Sequence, residues 1–325
     1  MFRRQVILFL VLVVLIGCQV VGGGETAVSA DIPANPQRII AADEGTMVDL
    51  LALGVTPVGV NDFGRRDFSR FLDYDADAIA SVGTPDGPNY EAILVLEPDL
   101  IIAREEHFTW TSPRMRSRLE AIAPVAVSPH SGAPWDEHLR FVAQLVNKEA
   151  EAEELIATYE TRLQEFRTAW AAAGGGETIG IVRSRPNGLQ VYAKESFIAE
   201  TVKSADLTMP DGFEELPRRN NISLEELDTL SSDYLFVMMR NEDEAVAFLE
   251  ASASPLWEFL PAVQNEQVHQ VNWSVWVAGW NVVGAQLVLD DLFFFLLDSE
   301  SPTPNPITAL VRDDFNPQFD VERLE

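Results

Sequence analysis

The chain has 325 residues, 47% of them hydrophobic, enough apolar material for one large domain or two lobes. Its 51 acidic residues against 23 basic ones give a formal charge of -28, a surface that repels phosphate backbones and argues against nucleic-acid binding. A single cysteine leaves no disulfide framework within the chain, so stability has to come from packing.

The opening segment, "MFRRQVILFLVLVVLIGCQV", sets Arg3 and Arg4 before an apolar run from Val6 to Ile16. That run has the length of a secretory signal and falls short of the roughly 20 residues a spanning helix needs. Leu15-Ile16-Gly17-Cys18 resembles the bacterial lipobox, which implies removal of residues 1–17 and acylation of Cys18. The alternative is an ordinary signal peptide with an incidental cysteine. Each methylene of an attached acyl chain adds about 0.8 kcal/mol of membrane affinity, so a multiply acylated Cys18 would stay anchored. Residues 18–36, Gly-rich at Gly22–Gly24, read as a flexible tether.

Residues 37–147 alternate short apolar runs with helical ones. "RIIAA" (Arg38–Ala42) predicts a strand, "EGTMVDLLAL" a helix closed by Gly54, and "TPVGV" the next strand. "NYEAILVLEPDLIIA" gives a cap at Asn89, a helix, a break at Pro98 and a buried strand that runs into Arg104. Ser112 and Pro113 open another helix, Val125–Val127 is a short strand, and "WDEHLRFVAQLV" is one more helix. Residues 148–173 contain neither Gly nor Pro and predict a helix about 39 Å long. Leu155, Ile156, Tyr159, Leu163 and Phe166 fall on one stripe of it, so it either joins two lobes or lies as a long surface helix.

The alternation restarts over residues 174–298. "TIGIVRS" is a strand and "SFIAETVKSADL" a helix; Ser223 caps a further helix, Asp233 follows, and the strand Leu235–Met239 ends at Arg240. "GAQLVLDDLFFFLLD" is a closing helix broken by "SPTPNP" (Ser301–Pro306); residues 299–325 are a C-terminal tail whose remaining acidic residues read as peripheral. Both halves deliver an arginine to the carboxyl edge of a sheet, where ligands of open α/β folds collect. The fold class is α/β with mostly parallel sheets.

The four histidines, His107, His130, His138 and His269, show no HxxH spacing, and there is no cysteine cluster, so no metal site of the protein's own is predicted. GxSxG, a phosphate-cradling loop and a nucleophilic cysteine are all missing, and no enzyme is predicted. The informative residues are cations at strand ends and loops with aromatics beside them. These are Arg65, Arg66, Arg104, Arg183, Arg185, Arg218, Arg219 and Arg240, with Trp110, Tyr192, Trp273 and Trp276. Guanidinium groups with indole or phenol rings suit a large anionic or oxygen-rich ligand. The competing reading pairs each arginine with one of the abundant carboxylates and places one or two tryptophans in the core.

Several pieces in order resemble the helical-backbone substrate-binding lipoproteins of ABC importers, in the branch for ferric siderophores, cobalamin and haem. They are "NPQRIIAADEGTMVDLLALGVTPVGV", "EAILVLEPDLIIA", "SLEELDTLSSDYLFV", "SPLWEFLPAVQNEQVHQVN" and "LDDLFFFLL", spread over residues 36–298. The resemblance implies two Rossmann-like lobes joined by a single long α-helix, with the ligand cleft between the lobes and little closure. It implies a monomer without cofactor, a ferric siderophore whose iron the chelator holds, and ABC permease and ATPase subunits as partners. The protein would be lipid-anchored to the outer face of the cytoplasmic membrane, or periplasmic.

The resemblance places Arg104, Arg183, Arg185, Arg218, Arg219, Trp273 and Trp276 at the cleft, and Glu225 or Glu226 at a permease contact. The helix that usually carries the first-lobe contact reads "SPRMRSRLEAIA", with Arg114, Arg116 and Arg118; Glu105, Glu106 or Glu120 are the substitutes. Cobalamin or haem binding by the same fold is the alternative; haem favours a Tyr or His axial ligand, and His107 in the first-lobe loop offers one. A periplasmic sensor or adaptor without an importer is another.

Overall fold

The computed structural model describes residues 27–28, 32–61, 71–84, 86–105, 108–128, 134–186, 188–192, 196–213, 216, 219–277 and 280–312. Cys18, Arg65, Arg66, Glu106, His107, His130 and Arg218 lie outside them, and Arg219 is placed as backbone only. The first lobe holds a six-stranded sheet in the order β1-β8-β7-β2-β3-β4. Its strands are β1 (Ala27–Val28), β2 (Ile39–Ala41), β3 (Gly59–Val60), β4 (Ala80–Ser81), β7 (Leu100–Arg104) and β8 (Val125–Ser128). A separate hairpin pairs β5 (Gly83–Thr84) with β6 (Gly87–Pro88). All pairings in the large sheet are parallel except β1 on β8. Ala27 and Val28 fall in the segment expected to be a flexible tether. They extend the sheet instead, because the free edge of β8 offers N–H and C=O groups to any extended segment.

Successive strand residues point to opposite faces. Ile39, Ala41, Leu100 and Ile102 therefore enter one core, while Ile40, Ala42, Ile101 and Ala103 enter the other. Burial on both faces is why these strands read as unbroken hydrophobic runs. Helices α1 (Glu44–Ala52), α2 (Tyr90–Val95), α3 (Pro113–Glu120) and α4 (Trp135–Val146) follow the strands. Asp43 caps α1 by accepting the Thr46 N–H at 2.8 Å, and Asn89 caps α2 through Ala92 at 3.2 Å. Gly54, at φ +75°, takes the left-handed position beyond α1 as expected. The 25-residue α5 (Glu149–Ala173) then leaves the lobe.

The second lobe contains β9 (Ile179–Arg185), β10 (Gly188–Tyr192), α6 (Phe197–Ser204), β11 (Arg219–Ile222), β12 (Tyr234–Met239), α7 (Glu242–Ser252), β13 (Val268–Asn272) and α8 (Val282–Leu297). Its sheet runs β11-β10-β9-β12-β13. Only β9-β12-β13 is parallel; β10 and β11 pair antiparallel, since β9 turns straight back into β10 and a short connection permits no other pairing. The helix expected after Ser223 is a turn followed by a 3-10 segment, Leu227–Leu230. Leu227 and Leu230 are both buried, and a spacing of three suits three residues per turn.

The two lobes share one bonding device at a strand entry. Asp99, ahead of β7, accepts the backbone N–H groups of Gln37 (2.7 Å) and Arg38 (2.8 Å) at the entry to β2. Asp233, ahead of β12, accepts the Thr178 N–H (2.7 Å) and hydroxyl (2.8 Å) at the entry to β9. Asp99→Ala and Asp233→Ala are each expected to lower stability by about 1–3 kcal/mol, read as a shift in denaturant midpoint at unchanged slope.

Helix α5 packs against α4 and α8, and one continuous core passes through it. That core runs from Ile39 and Leu139 through Ile156 and Phe166 of α5 and Phe293 of α8 to Ile181 and Phe236 of the second sheet. Arg162 of α5, 1% exposed, donates to Gln286 and Asp290 of α8 and, at 3.2 Å, to the Thr303 carbonyl. One turn on, Glu165 accepts from Ser301 (2.8 Å) and from the Thr303 hydroxyl (2.6 Å). The described part of the tail, up to residue 312, is thus held in place. Its polar groups find fixed partners on α5, Ile307 fills the core, and Val311 bridges to Leu72 of the first lobe.

Candidate functional site at the two sheet edges

At the first-lobe edge β7 delivers Arg104, which is 5% exposed. Its guanidinium stands 3.4 Å from Asp43 and 3.6 Å from Asp49. It lies across the start of α1 because position 45 is glycine; a Cβ there would sit 2.7 Å from Arg104 Nη2. Asp49 is fully buried, and its other oxygen accepts the N–H of Val282, the first residue of α8, at 3.2 Å. His138 Nε2 lies 3.8 Å from Asp49 and 3.1 Å from the Thr46 hydroxyl. Burial pushes the Asp49 carboxyl up to about 7, against the pull of Arg104 and the Val282 N–H. The cation that ends this core strand is therefore answered from inside the lobe. Trp110, 1% exposed, belongs to the core behind it.

The second-lobe edge is different. Parallel register sets Arg183 opposite Met238 and Met239 opposite Asn272, so the ends of β9, β12 and β13 bring Arg183, Arg240 and Trp273 together. The Arg183 guanidinium carbon stands 4.6 Å from the Trp273 ring centroid and that of Arg240 4.9 Å. Both distances are within cation–π range. Trp273 is half-buried, and its indole N–H makes no hydrogen bond among the described residues. Arg183 is bound through Nε (3.0 Å) and Nη2 (2.6 Å) to Glu244, which also takes Arg185 Nη1 at 3.3 Å. Burial works against the Arg183 charge and the Glu244 carboxylate outweighs it, so the Arg183 pKa lies above its ordinary value. The Arg185 side chain is 45% exposed and Arg240 is exposed.

Beside this cluster is a hollow of about 80 Å³ lined by Tyr192, Ser196, Phe197, Trp276 and Trp280. Trp276 is a wall rather than a reader, completely buried with its N–H donated to Asp291 at 2.6 Å. Glu225 and Glu226 are exposed on the turn after β11, and Glu226 accepts the Ser223 hydroxyl at 2.8 Å, which holds its carboxyl below the usual range. On α3, Arg116 pairs with Glu120 at 2.8 Å and Arg118 lies 3.9 Å over the Tyr90 ring.

Sequence reasoning missed Asp43, Asp49 and Glu244. The available signal for Glu244 was the Asn241-x-x-Glu244 spacing of a helix start, and Asn241 does cap α7 by accepting the Glu244 N–H at 3.0 Å.

Two α/β lobes on one helical joint, with cations and ring faces gathered at a sheet edge, define a solute-binding protein. The sequence profile of the periplasmic binding protein family matches residues 39–272, and the chain belongs to that family. A Bacillus subtilis protein named "Probable siderophore-binding lipoprotein YfiY" is 28% identical over 285 residues, 84% of this chain and 86% of the relative. The Fe(3+)-citrate-binding protein YfmC of the same organism is 29% identical over 260 residues, 78% of this chain and 77% of the relative. The structure of the siderophore periplasmic binding protein from the fuscachelin gene cluster of Thermobifida fusca superposes with a TM-score of 0.67 at 26% identity, covering 82% of this chain and 99% of that one.

Proposed function

We propose that the protein captures a ferric siderophore outside the cytoplasm and delivers it to the permease and ATPase subunits of an ABC importer. It does so as a monomer, without chemistry of its own, anchored through an acylated Cys18. The observation that carries this reading is the pair of guanidinium groups over Trp273 at the open edge of the second sheet, in a chain of formal charge -28. Relatives named for siderophores and for ferric citrate support it. Electron-rich donor oxygens of an iron chelate suit the exposed guanidinium groups of Arg185 and Arg240, while its organic rim suits Trp273 and the neighbouring hollow, of which buried Tyr192 is a wall. Arg65, Arg66, Arg218 and Arg219 are assigned to the same ligand from the sequence pattern, and Glu225 and Glu226 to the permease.

Haem is the alternative, and His107, its axial candidate, lies outside the described residues; the two described histidines are both packed into the protein. His138 is buried against Thr46 and Asp49, while His269 packs against Tyr234, Phe236 and Phe295 with its pKa lowered by burial. Tryptophan fluorescence titrated with ferric citrate, a ferric tris-catecholate, a ferric trihydroxamate and haem tests the proposal. At least one ferric chelate is expected to quench at micromolar concentration, as tight solute capture requires. Quenching by none of the three, or by haem alone, overturns it.

A further inference from the structure

Glu244 is 3% exposed, and the capture just described gives it no part. Both of its oxygens are in use. Oε2 accepts Arg183 Nε at 3.0 Å and the Arg240 N–H at 2.9 Å; Oε1 accepts Arg183 Nη2 at 2.6 Å and Arg185 Nη1 at 3.3 Å. One carboxylate thus touches the ends of two neighbouring strands, β9 and β12, and grips Arg183 by two parallel bonds. Such a fork fixes the plane of the guanidinium as well as its position. That plane is the one over Trp273, so the carboxylate sets the indole's surroundings at one remove.

The charges around Glu244 are unequal. Arg183 is 8% exposed and meets the carboxylate with a whole edge, whereas Arg185 gives it a single nitrogen and keeps a 45% exposed side chain. Two guanidinium groups share one carboxylate, and the surplus positive charge sits on the member that reaches solvent.

We propose that Glu244 is the positioning residue of the second-lobe edge, locking Arg183 beneath the binding surface and leaving Arg185 as the cation that meets the anionic group of the chelate. This rests on the capture proposed above, and its test has one arm that does not. In the ligand-free full chain, phenylglyoxal labelling read peptide by peptide should modify Arg185 before Arg183. In Glu244→Gln the labelling rate of Arg183 should rise about tenfold, the scale of one lost charge-assisted bond. Equal Arg183 rates in parent and variant overturn the positioning role.

In the second arm, ferric citrate and a ferric tris-catecholate are titrated by tryptophan fluorescence. Glu244→Gln and Arg185→Ala should each bind the quenching chelate about tenfold more weakly. Glu244→Asp, which keeps the charge, should recover part of the loss, and it replaces Glu244→Gln in both arms if that variant does not fold. Parent-like affinity in Glu244→Gln or in Arg185→Ala overturns the corresponding assignment. If neither chelate quenches the parent, the capture reading and the ligand role of Arg185 fall together, and labelling alone decides on Glu244.

Discussion

Arg104→Ala is expected to lower stability by about 3–5 kcal/mol, measured by denaturant unfolding, because it strands buried acids without their counter-ion. Asp43 and Asp49 are 1% and 0% exposed, and Arg104 stands within 3.6 Å of both. Removing the cation leaves two carboxyl groups a short distance apart in a dry site. Combining Arg104→Ala with Asp49→Asn should return part of the loss, since the variant then has one fewer charge to shelter. The damage should also grow as pH rises past 7, because the parent's Asp49, raised to about 7, then ionises beside Arg104, whereas the variant has no cation there to favour the charged form. A stable Arg104→Ala protein that has lost chelate binding would return this arginine to the ligand.

Asp291→Asn should stabilise the protein by about 3–4 kcal/mol at pH 8 and change little near pH 4. Asp291 is buried at 6% exposure, and burial raises its carboxyl to about 7 from an ordinary 3.8, with the Trp276 N–H pulling the other way. Between those two values the folded state keeps a proton that the unfolded state has released, so stability falls as pH rises through that window. Asparagine still accepts the indole N–H and never has to shed a proton. Surface acids such as Glu226, whose pKa is lowered, contribute the opposite slope. The readout is therefore the difference between parent and variant across pH 4 to 8, and a difference that stays flat contradicts the prediction.

Local pattern made much of the fold legible. Leu100–Ile102, Asn89, and the run from Glu149 to Ala173 each carried a signal within a few residues: a buried strand, a cap, a helix without breakers. Long-range pairing did not announce itself. Nothing in "SPTPNP" shows that Thr303 will meet Arg162 and Glu165 of α5, because those bonds join segments distant in sequence. The arginines were visible as strand ends, yet their partners were not. With 51 acids in the chain, no rule of spacing singles out Asp43 or Asp49, and the Asn241-x-x-Glu244 spacing marks a helix start without naming Arg183 as the partner. Arg104 and Arg183 sit at comparable strand ends and differ only in what surrounds them, which composition does not encode.

The core that passes without interruption from Ile39 through Phe166 and Phe293 to Phe236 has a thermodynamic meaning for any guest molecule. Swinging the lobes apart would open apolar surface at about 25 cal/mol for every square ångström. The receptacle is accordingly shaped before anything arrives in it. Little conformational freedom is left to surrender on arrival, so even a modest set of contacts can hold a guest tightly.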